Sequence, residues 1–168
     1  MEQVVSEAAL IIVGVLSIIT SVRYGYPLII ERIDESRFEA VEREVDVIVK
    51  TLILSERNVY CNYSVSLKLP RKCYLKLSEI NQSLWIVVEV KDLEINAEPG
   101  IVKLRDGDVI VIREVYGRKK YSCKYLITPS KPFILASEHV TAGEGRITVC
   151  FSNLGNFTIS TSVWRWNN

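Results

Sequence analysis

The segment EQVVSEAALIIVGVLSIITSVRYG, Glu2 to Gly25, limits what this chain can become more than any other part of it. From Val4 to Val22 every residue except Glu7 is apolar or a small hydroxyl. A helix that is apolar all round is not stable alone in water, so this one needs a bilayer or other helices around it. The uncharged run from Ala8 to Val22 makes about 22 Å of helix, short of a bilayer core of about 30 Å. Counting from Val4 gives about 19 residues, enough to cross, but only with Glu7 inside the apolar zone. An ionisable side chain there costs about 2.5 kcal/mol or more unless it is partnered. Glu7 is therefore expected either to have a cationic partner or to sit at a membrane surface.

Residues 3 to about 24 read as this first helical stretch. The sequence GYP at Gly25 to Pro27 predicts a kink or break, since proline lacks the backbone donor and crowds the preceding turn. A second, amphipathic stretch follows over 28–55, with apolar residues at 30, 33, 38, 41, 45, 48 and 52 and charged ones on the other faces. Glu39/Arg43 and Asp46/Lys50 fall at i,i+4 spacing. The expected unit, residues 1–57, is one long kinked rod with its apolar part at 4–22.

The period changes near Val59. In YCNYSVSLKLP, Tyr63, Val65, Leu67 and Leu69 alternate with Ser64, Ser66 and Lys68, as in a strand with one buried face. Further strands are predicted at 73–77, 84–90, 101–105, 109–116, 121–127, 146–151 and 157–163, with hairpin turns at RDGD, YGRKK and SNLGN. Short strands at this spacing predict an antiparallel β-sandwich over 58–168, so the chain as a whole is expected to be α+β.

The four cysteines, Cys61, Cys73, Cys123 and Cys150, all fall in the β part. An even count without a CxxC pair predicts two disulfides rather than a zinc site, and hence an oxidising location. The three pairings stay open. If Pro70–Lys72 forms a tight hairpin loop, Cys61 and Cys73 stand about 26 Å apart along the strands, beyond the disulfide limit of about 7 Å. Three N-x-S/T triplets, at Asn62, Asn81 and Asn156, are candidate glycan acceptors, and they too point to an extracellular β domain.

Catalytic constellations are thin. A net charge of +1 offers no basic field for nucleic acid. The single His139 has no evident nucleophile partner, and neither GxxxxGK[ST] nor GxGxxG occurs. TAGEGR, Thr141 to Arg146, reads as a link between strands. Trp164 and Trp166 in the terminal strand read as packing. No enzyme, metal site or cofactor is expected.

An apolar rod with one charge, an amphipathic continuation and a cysteine-bearing β domain together resemble the archaeal type IV pilin-like proteins. QVVSEAALIIVGV is similar to their N-terminal motif, with Gln3 at the place of the first mature residue and Glu7 at that of the fifth-position glutamate. The charged helix running into NYSVSLKLP and the closing GEGRITVCFSNLGNFTIS also look like such proteins. The Met-Glu before Gln3 lacks the basic, glycine-ending leader typical of the family, so processing stays open. The resemblance implies a structural subunit that is held in the membrane before assembly. It would then polymerise through its N-terminal helix into a cell-surface filament, with copies of itself as partners, and Glu7 would pair with a free N-terminal amine. The alternative is a monotopic membrane-anchored accessory protein of a filament or envelope.

Overall fold

The computed structural model describes residues 2–165 apart from 81–82, 96–97, 107–108, 119, 130–132, 136–139, 143–144, 154 and 156–158. The fold is α+β. One helix, α1 (Glu2–Arg57), precedes ten strands: β1 (Asn62–Leu69), β2 (Cys73–Ile80), β3 (Ser83–Leu93), β4 (Gly100–Asp106), β5 (Val109–Gly117), β6 (Tyr121–Thr128), β7 (Phe133–Leu135), β8 (Val140–Ala142), β9 (Gly145–Asn153) and β10 (Ile159–Arg165).

α1 runs as one continuous helix through Pro27, so of the expected kink or break at 25–27 the break does not occur. A proline removes one backbone bond but leaves the rest of the helical ladder to continue on either side. The consequence concerns length. Without a break, the run from Ala8 to Ile30 is interrupted only by Arg23, and its roughly 34 Å of helix exceeds the bilayer core that the shorter count failed to reach. The helix is long and apolar enough to cross a membrane.

The strands form two sheets, ordered β1-β9-β10-β7 and β4-β5-β6-β3-β2-β8, an arrangement compatible with the expected sandwich. Ladders are antiparallel except for β7 with β10, a parallel pair over Phe133–Leu135 and Ile159–Thr161. The short β7 and β8 are additions to the expected set; three residues carry too little alternation to be read. β1 and β2 do not form a hairpin. A tight turn closed by Cys73 N–H donating to Pro70 O at 3.2 Å, with Lys72 at φ 55°, passes the chain from the four-stranded sheet to the six-stranded one. TAGEGR likewise passes from β8 in one sheet to β9 in the other. The YGRKK hairpin depends on Gly117 at φ 134°, where a Cβ would fall 2.2 Å from the Lys120 carbonyl oxygen.

Both sheets and the second half of α1 contribute to one core. Val41, Val45, Ile48 and Leu52 of the helix are buried with Val65, Leu67 and Leu69 of β1, Leu75 and Leu77 of β2, Ile86 and Val88 of β3, and Ile147, Val149 and Phe151 of β9. The apolar stripe read from the sequence is thus core-facing from residue 38 on, whereas Ile33 is 52% exposed. Along the helix, burial against the core begins at Asp34, next to exposed Ile33.

The four cysteines are free thiols in this structure, where two disulfides were expected. Register explains it. Cys73 and Cys123 each face Val90, from the two strands that flank it, so they stand two strand spacings apart, about 9.5 Å, where a bridge needs Cα atoms within about 7 Å. Cys150 pairs in register with Ser64, three residues along from Cys61 and of opposite parity. Burial pushes the Cys73 thiol up to about 12 and the Cys123 thiol to about 11, so both stay protonated and unreactive. Melting curves with and without strong reductant are expected to superimpose. A shift of several degrees would show a bridge.

Candidate assembly surface on the helix

From Ser6 to Ile33 the helix stands clear of the rest of the fold. Its apolar side chains are exposed in every direction, with Leu10 at 70% and Ile29 at 58%. A soluble domain rarely leaves so much contiguous apolar surface in water unless the surface has a partner. The helical repeat sorts the side chains into two faces. Glu7 shares one with Ile11, Gly14, Ile18, Ser21 and Gly25, and a Cβ added at Gly14 or Gly25 would meet nothing within 4 Å. Ile12, Leu16, Ile19 and Arg23 lie on the other. Tyr24 and Tyr26 are exposed next to Arg23, a grouping of aromatic and basic side chains typical of a membrane interface.

Where the free part ends, the helix is fastened. Asp34 is the first buried residue along it. Its carboxylate accepts from Arg37 Nη1 at 2.5 Å and from the Glu94 backbone N–H at 2.8 Å. Arg37 Nη2 donates onward to the Arg71 carbonyl at 2.7 Å and to the Lys91 carbonyl at 3.3 Å. One ion pair therefore ties α1 to the β1–β2 turn and to the end of β3. Beside it, Lys72 pairs with Asp92 at 3.0 Å, and the Lys72 hydrogen bond and charge hold the Asp92 carboxyl below its usual range. One turn before the clamp, Leu28, Ile29, Arg32, Ile33, Ser36 and Arg37 line an open apolar depression of about 540 Å³.

Higher on the helix, Glu42 accepts from Arg113 Nη1 at 3.2 Å and from the Tyr125 hydroxyl at 3.1 Å. Burial pushes the Tyr125 hydroxyl well above its ordinary value, with Cys123 and Glu42 adding to the shift. At the top, Asn153 Nδ2 donates to the Ser55 carbonyl at 2.7 Å, and Gly155, at φ 79°, lies under the Tyr60 ring, where a Cβ would come within 2.8 Å of the hydroxyl oxygen. On the six-stranded sheet the Tyr116 hydroxyl donates to buried Glu89, and burial together with that carboxylate pushes it up to about 12. These contacts hold the helix and sheets in one arrangement.

Of the residues singled out in the sequence, Glu7 is exposed on the free part of the helix. Gln3 lies in the first turns of α1. Asn62 is exposed at the start of β1. Asn81, Asn156, His139 and Trp166 lie outside the described residues, and Trp164 falls in β10. Among the described residues no group of three or more His, Cys, Asp or Glu side chains is placed to hold a metal ion. The Asp34–Arg37 clamp escaped the sequence reading, which singled out neither residue. The only hint was Asp34 at i,i−3 from Arg37, in line with the apolar stripe at 38, 41 and 45. No family model matches the chain, and neither a curated protein nor a solved structure matches it.

Proposed function

We propose that this chain is a structural subunit of an extracellular filament of the type IV pilin-like kind, polymerising through the free half of α1 with the β domain outside. The observation that supports this reading is the apolar exposure, all round the helix, of side chains from Leu10 to Ile29 on a helix whose continuation is locked into the core of the β domain. Such a subunit presents a rigid apolar stalk, and stalks of many copies bury one another. Before assembly, the same stalk resides in a membrane. Leu28, Ile29 and Ile33 add to the argument. They end the free part of the helix next to the β domain, where neighbouring stalks can cover them in a filament.

The second reading is a membrane-anchored accessory module that binds a surface partner through its β domain. The aromatic and basic residues at 23–26 favour it, since they suit a permanent interface position. Mass spectrometry of the native N-terminus separates the two. A chain that begins at Gln3 is the expected result for a processed filament subunit. A chain that keeps Met1 contradicts that processing and fits the anchor.

A further inference from the structure

Two charges mark the apolar stretch of the free helix that precedes Glu31 and Arg32. Between Ser6 and Ile30 the only acidic side chain is Glu7 and the only basic one is Arg23. Both are exposed, and among the described residues neither takes part in an ion pair. Their separation in sequence corresponds to about 24 Å along the axis and about 160° around it, so they stand on opposite faces and cannot meet within one helix. Each is left without a counter-charge in an apolar surface, and burying that surface with either charge bare is unfavourable.

We propose that Glu7 of one copy pairs with Arg23 of a neighbouring copy displaced by about 24 Å along the helix axis. The inference rests on the filament reading, and it names the contact that sets the stagger between stalks. A carboxylate on one face and a guanidinium on the opposite face make a head-to-tail contact, which repeats without closing and so produces an open polymer instead of a dimer. The face that carries Glu7 is the one with Gly14 and Gly25, above which a neighbour's backbone has room. The face that carries Arg23 also presents the bulky Ile12, Leu16 and Ile19. Arginine suits the role, because its guanidinium stays charged in apolar surroundings and offers two parallel donors to a carboxylate. The pairing neutralises both charges of the stalk at once. Pairing Glu7 with an N-terminal amine instead would leave Arg23 bare in the same interior.

The test is a charge exchange in the full chain, read as filament mass recovered from sheared cells. Glu7→Arg and Arg23→Glu should each lower the yield by about tenfold or more, and E7R/R23E should restore it to within a few-fold of the unchanged chain. Normal yield with Arg23→Glu, or no recovery in the double variant, would overturn the pairing while leaving the filament reading intact. Absence of filaments from the unchanged chain would overturn the filament reading itself. Because charge variants can fail earlier, at membrane insertion, a second variant reads geometry directly. In a background with Cys61 and Cys150 replaced by serine, E7C/R23C should oxidise into a ladder of covalent multimers, since each copy links in two directions. E7C or R23C alone should give no covalent multimers, because position 7 faces position 23 of the neighbour and not its own counterpart. No ladder from the double variant in assembled filaments would overturn the 24 Å stagger.

Discussion

Removing residues 1–29 should convert the protein into a soluble monomer that still unfolds cooperatively, whereas removing residues 1–57 should abolish folding. The first cut takes away only side chains that stand in water, Leu10 to Ile29 among them, and keeps the Asp34–Arg37 clamp. The second takes Val41, Ile48 and Leu52, each fully buried, together with Val45 and Val49. Truncating one buried aliphatic side chain costs about 2–5 kcal/mol, so losing five, about 10–25 kcal/mol, is enough to consume the roughly 5–15 kcal/mol by which a domain of this size is stable. Sedimentation and a thermal melt check both cuts. Persistent oligomers from the first would show that the free helix is not what associates. A cooperative melt from the second would show that the sheets hold a core of their own.

A single substitution at the clamp should cost nearly as much as a core deletion. Asp34 and Arg37 are largely buried, with side chains 7% and 15% exposed, and Arg37 Nε has no hydrogen-bond partner. Asp34→Ala leaves the guanidinium with no counter-charge and the Glu94 N–H with no acceptor. Breaking a buried pair from one side costs about 3–5 kcal/mol. Replacing both partners, in D34A/R37L, removes the bare charge and should recover part of the loss. Denaturant unfolding of the 30–168 fragment measures both changes. A loss below about 1 kcal/mol for Asp34→Ala would mean that the pair is solvated and does not fasten the helix.

How far the sequence carried this picture depended on the range of the interactions involved. Alternation in β1 was legible, and Val65, Leu67 and Leu69 are buried between exposed Ser64, Ser66 and Lys68. The helical stripe from Phe38 to Leu52 was legible for the same reason, since a local period reports which face is covered. What hid was whatever depends on a distant segment. Asp34 is buried by Glu94 and the β1–β2 turn, and nothing next to it in sequence announces either. Pro27 left a kink and a break both open, because the local rule weighs one lost bond and cannot weigh the length of helix on both sides. The cysteines invited pairing by number, whereas strand order kept Cys73 and Cys123 apart by the width of Val90's strand. At the candidate surface, Glu7 stood out in the sequence because it interrupts an apolar run. Arg23 did not, since the expected break at Gly25 made it look like the end of a segment. The unbroken helix places it inside one.

The central claim is that the free half of α1 is buried among copies of itself, and electron microscopy of material sheared from cells that make the protein tests it most directly. The account predicts thin helical filaments with the N-terminal helices in the core and the β domains outside, lost when residues 1–29 are removed. Recovery of the protein only as monomers in detergent-solubilised membranes, with no filaments in the sheared fraction, would contradict it.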